Sequence, residues 1–295
     1  MSNVSTDTRC LTAGDLFWAL TGERHDGHDY VADALARGAI GAVVARDWFE
    51  RQKPAPRRCI VVPQTQPALR DLAAWNRGQS DALVIGVTGS VGKTTTRHML
   101  HVVLATRHRG IQSPQNFNNE IGVPLSLLAL APDHEFAVLE AGASRVGDIA
   151  ELASLMQPEA GIITAIAPAH LESFGSLENI CRGKGELLEA LPENGFAVLN
   201  GDDPLVRQLA RRAPCRTILV GESIHNDLVA SRVKLNDRRL RFRVGGTEYQ
   251  LPAIGRHHLT SALVSIAVGL ELGLSEAEIS AGLRNFQAVL GRCRK

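Results

Sequence analysis

Within seven residues, Gly89-Ser90-Val91-Gly92-Lys93-Thr94-Thr95, the chain carries two glycines, three hydroxyls and a lysine. Glycines let backbone N–H groups come close to an anion. A lysine on such a loop can reach the outer phosphates of a nucleotide, and the threonine hydroxyl behind it can bind Mg2+. The loop follows an apolar run at 82–87 that reads as a buried strand and precedes a segment, 96–104, that reads as a helix. The helix N-terminus would add its outward N–H groups and the positive end of its dipole. The strict phosphate-loop spacing asks for glycine at position 87, where this chain has Val87, with Gly86 and Gly89 on either side. A glycine turn with an incidental lysine is the plain alternative. The strand-to-helix junction at which Gly92-Lys93-Thr94-Thr95 falls argues against it.

Such a loop needs a sheet to hold it. Apolar strands are predicted at 136–139, ending on Glu140, at 161–166, followed by a turn with His170, and at 196–199, ending on Asn200-Gly201-Asp202-Asp203. Helices are predicted between them at 146–156, 177–191 and 204–212. This alternation predicts a mainly parallel sheet, whose ligands bind beyond the carboxyl ends of the strands. Glu140, His170 and Asp202 would then share a rim with the phosphate loop. Residues 227–233, 239–244 and 249–251 alternate as antiparallel strands, with turn signals at Asn236-Asp237 and Gly245-Gly246. A helix at 260–272 stops at Gly273, and Ser275 with Glu278 spells a capping box for a last helix. Ahead of all this, residues 1–80 read as a small α/β domain, with strands at 15–20, 42–44 and 60–62 and helices at 30–37 and 66–77. The fold class is α/β, with domains at 1–80 and 81–295. The loop holding His25, Asp26, His28 and Asp29 is expected to meet a ligand or solvent, with a metal site as the alternative. Arg207, Arg211, Arg212 and Arg216 are expected to form a solvated face.

Composition narrows the partners. A net charge of +1 gives no field for nucleic acid or membrane. No apolar run approaches the roughly 20 residues that span a bilayer, and no signal-peptide core opens the chain. Five cysteines without a CxxC pair suit reduced thiols in a cytoplasm. A monomer is expected.

The motifs, taken together, resemble the ATP-dependent Mur ligases of peptidoglycan synthesis. The likeness rests on Thr88-Gly89-Ser90-Val91-Gly92-Lys93-Thr94-Thr95, Asp7-Thr8-Arg9 with Ala13-Gly14-Asp15-Leu16-Phe17, Asp26-Gly27-His28, Asn116-Phe117-Asn118-Asn119-Glu120-Ile121-Gly122-Val123-Pro124, Glu140-Ala141-Gly142-Ala143, the stretch from Ala169 through His170 to Gly175, Gly183-Lys184-Gly185-Glu186 and Asn200-Gly201-Asp202-Asp203. Within the family the stretch from Asn116 is similar to that of the member joining D-alanyl-D-alanine to UDP-MurNAc-tripeptide. The resemblance implies ATP and Mg2+, an acyl phosphate, a UDP-substrate domain at 1–80 and an ATP-binding domain at 81–295. It implies Lys93, Lys184 and His170 as catalytic residues. ATP would be held by Gly89, Ser90, Val91, Gly92, Lys93, Thr94, Thr95, His258, Ser261 and Arg292. Thr94, Glu140, His170 and Lys184 would serve the metal, Lys184 as a carbamate. Thr8, Arg9, Asn118 and Asn119 would touch substrate. Taken alone, Glu140 could serve a helix cap and His170 a turn, both the lesser readings; Lys184 reads first as a surface lysine, and Asn118 and Asn119 equally as a helix start near Pro124.

Three departures from the family pattern bear on this. The family has a further segment before Asp7-Thr8-Arg9. Leu290-Gly291-Arg292 resembles its linker into a C-terminal domain, which is expected to be missing or supplied separately. His258 and Ser261 stand where the family has two asparagines. A nucleotide-binding protein without catalysis, or a Mur-like ligase for another substrate, are the competing readings.

Overall fold

The computed structural model describes residues 3–287 apart from 23, 24, 115, 170, 237 and 254. The chain divides into two units, residues 1–79 with 127–129 and residues 80–126 with 130–295.

In the first unit, β1 (Val4–Ser5), β2 (Leu16–Trp18), β3 (Gly41–Ala45) and β4 (Cys59–Val62) form a parallel sheet in that order. Helices α1 (Val31–Ala36), α2 (Arg46–Arg51) and α3 (Thr65–Gly78) complete it. Phe17, Ala19, Val31, Ala34, Ala42 and Val44 close one core. In the His/Asp loop, Asp26 and His28 are tied to each other and to β3, while His25 and Gly27 line a cavity. Asp26 Oδ1 accepts from the His28 N–H (3.0 Å) and lies 2.6 Å from His28 Nδ1. His28 Nε2 accepts from the Ala45 N–H (2.9 Å), which puts the ring proton on Nδ1. Among the described residues no group of three or more His, Cys, Asp or Glu is placed to hold a metal.

The second unit is a nine-stranded sheet. Its parallel part contains β5 (Leu83–Thr88), β6 (Gly110–Gln112), β7 (Phe136–Glu140), β8 (Ala160–Ile163), β9 (Phe196–Asn200), β10 (Arg216–Gly221) and the start of β11 (Leu228–Asn236), in the order β6-β7-β5-β8-β9-β10-β11. β12 (Arg239–Val244) and β13 (Thr247–Pro252) extend it antiparallel. The helices are α4 (Lys93–Leu104), α5 (Gly122–Leu128), α6 (Asp148–Met156), α7 (Leu171–Phe174), α8 (Leu177–Glu189), α9 (Pro204–Leu209), α10 (His258–Glu271) and α11 (Glu276–Asn285).

Strand residues alternate between two cores, as the two-residue period of a pleated strand requires. Ile85, Val138, Ile162 and Val198 pack with Met99, Leu100, Val103 and Leu104 of α4 and with α10. Ile163, Ala197 and Leu199 pack with Ile180 and Leu188 of α8 and Val206 of α9. With both faces covered, these strands read as unbroken apolar runs. The mainly parallel sheet with an antiparallel extension, expected from the alternation, is what the chain forms, and the Ser275–Glu278 capping box is present.

Some boundaries differ. α4 begins at Lys93, not Thr96, because Gly92 in the left-handed region (φ 85°) turns the loop into the helix. β8 stops at Ile163, which leaves Thr164 to the phosphate loop. β6 and β10 escape the apolar pattern, the first being three residues long and the second opening on Arg216. The arginine cluster is largely tied to its own unit: Arg207 donates to Gly201 O (2.9 Å), Arg212 to Glu189 (2.8 Å), and Arg216 pairs with Glu271. No described helix is long and apolar enough to cross a membrane.

Leu100 is fully buried between α4 and the sheet, so Leu100→Ala is expected to cost about 2–5 kcal/mol in urea unfolding. Ile224, 83% exposed, is the control, and Ile224→Ser should stay within about 0.5 kcal/mol.

Candidate active site

The turn between β5 and α4 rests on the segment after β8. Ser90 N–H donates to Ala165 O (2.8 Å) and Ser90 Oγ to Ala167 O (2.9 Å), while Thr164 Oγ1 donates to Val91 O (2.6 Å). Gly89 sits at φ 145°, and a Cβ there would come within 2.1 Å of Thr164 Oγ1, so the close seat of the loop needs glycine. The first bond of α4 runs from Thr96 N–H to Gly92 O (2.9 Å). The N–H groups of Thr94 and Thr95 lie ahead of it and face out of the helix end, where anions bind. Lys93 Nζ reaches back to donate to Gly89 O (2.8 Å), so its ammonium lies over the loop.

Facing this turn is Glu140, 1% exposed at the end of β7. Its Oε2 accepts from Thr94 Oγ1 (3.0 Å) and its Oε1 from Asn118 Nδ2 (3.1 Å). Arg97 Nε lies 3.5 Å from Oε2. The Glu140 N–H donates to Ser113 Oγ (2.9 Å), which fixes the strand end. A hydroxyl and a carboxylate oxygen side by side are hard donors. They fit Mg2+, which takes one or two protein oxygens and completes its shell with phosphate and water.

Lys184 on α8 is 3% exposed, with its Nζ 5.6 Å from the centre of the Phe174 ring. Burial first, and then the positive charge of Lys93, lower its pKa from 10.5 to about 8, against the pull of Asp148, Glu186 and Glu140. Lys93, Glu140 and Lys184 therefore act on one another electrostatically, and a fair share of neutral amine exists near pH 8. Glu186 is occupied, accepting the N–H groups of Gly147 (2.7 Å) and Ala150 (3.0 Å) at the start of α6.

Residues 87–269 match the Mur ligase middle domain, and residues 1–77 match the Mur ligase family catalytic domain. The chain belongs to the Mur ligase family. It is similar to the UDP-N-acetylmuramoyl-tripeptide--D-alanyl-D-alanine ligase of Escherichia coli, with 37% identity over 98% of this chain and 64% of the relative. The Bacillus subtilis enzyme of the same name is 38% identical over 96% of this chain and 62% of its own length. The chain thus spans under two thirds of these relatives. A crystal structure of MurF from Acinetobacter baumannii superposes with a TM-score of 0.86 at 34% identity, covering 98% of this chain and 64% of that one. MurF from Thermotoga maritima in complex with ADP gives 0.81 at 30% identity, covering 98% and 67%.

Of the residues that the Mur ligase likeness points to, the structure brings Lys93, Thr94, Glu140, Asn118 and Lys184 into one neighbourhood of the second unit. Asn119 stands at the start of α5, its Oδ1 accepting the Gly122 N–H (2.9 Å). Ser261 Oγ lies 2.8 Å from Thr96 Oγ, linking α10 to α4 from within the core. His258 is buried, with its Nδ1 3.2 Å from Gly255 O and its ring 4.3 Å from that of His257. Burial lowers its pKa, against the hydrogen bond to Gly255, which raises it. Asp202 turns to its own loop and accepts from the Glu222 and Ser223 N–H groups (2.6 and 3.0 Å). His170 and Arg292 lie outside the described residues. In the first unit, Thr8 and Arg9 line a cavity of about 460 Å³ with Thr6, Asp7, Phe17 and Tyr30. Arg9 forks onto Asp7 there (2.7–3.1 Å), which raises its own pKa and lowers that of Asp7.

Sequence reasoning passed over Arg97 and Thr164. Arg97 stands four residues after Lys93 and hence on the same helix face, a spacing that could have flagged it. Thr164 lay inside a predicted strand.

Lys93→Ala is expected to abolish measurable ATP binding in titrations with a fluorescent ATP analogue; unchanged affinity would remove the loop from the site. Lys184 sets a pH dependence. Between pH 8 and 10.5 the unfolded chain binds more protons at this residue than the folded one, so its cost is full below about pH 8 and fades as the pH rises. Lys184→Met should therefore be more stable than wild type at pH 7, on the order of 2–3 kcal/mol, in CO2-free buffer. The gap should close towards pH 10.

Proposed function

We propose that this chain carries the ATP-binding and UDP-substrate parts of a ligase of peptidoglycan precursor synthesis, the activity that joins D-alanyl-D-alanine to UDP-MurNAc-tripeptide. The observation that carries the reading is the Thr94–Glu140 pair at the mouth of the glycine loop, with Lys93 and Lys184 in electrostatic range, on a chain so similar to ligases of that name. The chemistry follows. A carboxylate is a poor acceptor for an amine. Its oxygen attacks the γ-phosphorus of ATP, ADP leaves, and the acyl phosphate formed is open to attack. The dipeptide amine then adds to the carbonyl carbon, phosphate departs, and the amine loses its proton.

Phosphoryl transfer asks the protein for alignment and charge more than for covalent help. The loop N–H groups and Lys93 would hold the β- and γ-phosphates. Thr94 and Glu140 would hold Mg2+, which when bound neutralises the phosphate oxygens. Lys184 near neutrality can take up CO2, losing a proton to become a carbamate. That change would turn a cation into an anion able to serve the metal, and by the family likeness His170 would be a further ligand. His258 and Ser261, with Arg292, would lie on the adenine side, and Asn118 would keep Glu140 aimed. Thr8 and Arg9, in their cavity, suit the UDP-sugar, whose phosphates would draw Arg9 away from Asp7. The reaction would run in the cytoplasm in a monomer, with no nucleic acid.

The remaining length of the relatives is expected to supply the rest of the ATP site and the dipeptide site. Residues 1–295 alone should then bind Mg-ATP weakly and form no amide. ADP release that needs both UDP-MurNAc-tripeptide and D-alanyl-D-alanine should be seen when these residues are joined to the C-terminal third of a relative. Robust ligation by residues 1–295, or turnover in the joined protein only with another acid or amine, would overturn this assignment.

A further inference from the structure

Glu140 shares its burial with a cation. Arg97 is 4% exposed and lies against the same carboxylate oxygen that Thr94 contacts. A buried ion pair costs desolvation on both sides and rarely improves stability over an apolar pair of similar size. Its place beside a metal-binding carboxylate therefore points to a role in the site. The guanidinium is not held by the carboxylate alone. Arg97 Nη1 donates to Gln112 Oε1 (2.9 Å) and to the Ser113 carbonyl. Ser113 in turn receives the Glu140 N–H through its Oγ. The arginine is thus anchored to the end of β6 and would stay in position if the carboxylate moved.

Charge decides what this arrangement does. Arg97 is the cation set directly against Glu140 Oε2. The acids near Lys184, Asp148 and Glu186, accept from backbone N–H groups of residues 144, 145, 147 and 150. A divalent cation approaching alone meets a carboxylate that already has its counter-charge. A nucleotide brings several negative charges and its own oxygen ligands, and so offsets that counter-charge.

We infer that Arg97 is a positioning residue, the resident counter-charge of Glu140. It keeps the buried carboxylate aimed, and it suppresses divalent-cation binding until nucleotide is present, so that metal and nucleotide enter as one unit. The inference rests on the reading of Thr94 and Glu140 as the metal side of the nucleotide site.

The test uses Mn2+ as the probe, followed by electron paramagnetic resonance on the whole chain with and without ADP. Wild type should show no saturable Mn2+ binding alone and should bind it with ADP. Arg97→Met should bind Mn2+ without nucleotide at least about tenfold more tightly than wild type, as loss of one facing charge at a partly screened site allows. Arg97→Met combined with Glu140→Gln should lose that binding, and Arg97→Lys, which keeps the charge, should behave as wild type. A purely structural role would only weaken metal binding. Equal or weaker Mn2+ binding by folded Arg97→Met without nucleotide overturns the inference while leaving the site reading intact. Failure to bind Mn2+ with ADP even when these residues are joined to the C-terminal third of a relative overturns the site reading itself. If Arg97→Met does not fold, wild type still decides: saturable nucleotide-free Mn2+ binding that Glu140→Gln removes would overturn the inference.

Discussion

A carboxylate withdrawn from water at the end of a central strand is the constraint around which the second unit is arranged. Left alone, an ionised group this deep would cost several kcal/mol or give up its charge. Here each oxygen has a donor: Asn118 on one, Thr94 on the other, with Arg97 close behind. Those donors come from three separate places, the 116–119 loop, the first turn of α4 and its second turn. The register of β5 against β7, which pairs Val87 with Glu140, sets the carboxylate beside the phosphate loop. A one-residue slip would turn Glu140 to the opposite face of the sheet, into the second core, where none of these donors could meet it.

How much of this was legible in the sequence depends on distance along the chain. The loop from Gly89 to Thr95 is local, and its glycines, lysine and threonines announce it wherever it falls. The parallel sheet was equally legible, because strands buried on both faces read as apolar runs such as Phe136-Ala137-Val138-Leu139. The capping box at Ser275 and Glu278 was read correctly for the same local reason. The contacts that finish the site were not legible. Thr164 supports the loop across 73 residues of chain, and Asn118 reaches Glu140 across 22. Nothing in a threonine or an asparagine marks it for such a role before the strands are paired. Lys184 shows the same limit, since a lysine on a helix is usually a surface residue and only the packing of α8 against the sheet buries this one.

Two polar loops show why residue type alone misleads. His25, Asp26, His28 and Asp29 have the composition of a metal site, yet His28 spends both ring nitrogens on Asp26 and Ala45. Asp202 sits on the expected rim and still turns to the 222–226 loop, where its carboxylate replaces missing backbone partners. In both cases the carboxylate or ring is engaged by the chain's own backbone.

The bond from Lys93 Nζ to Gly89 O has a thermodynamic meaning of its own. An ammonium carries three N–H donors, so this bond does not by itself keep Lys93 from a second acceptor. It fixes a long side chain whose rotamer freedom would otherwise be lost on meeting an anion, and that loss is taken at folding. An anion entering the loop would meet a lysine already in place, and preorganisation of this kind favours binding by lowering the ordering cost.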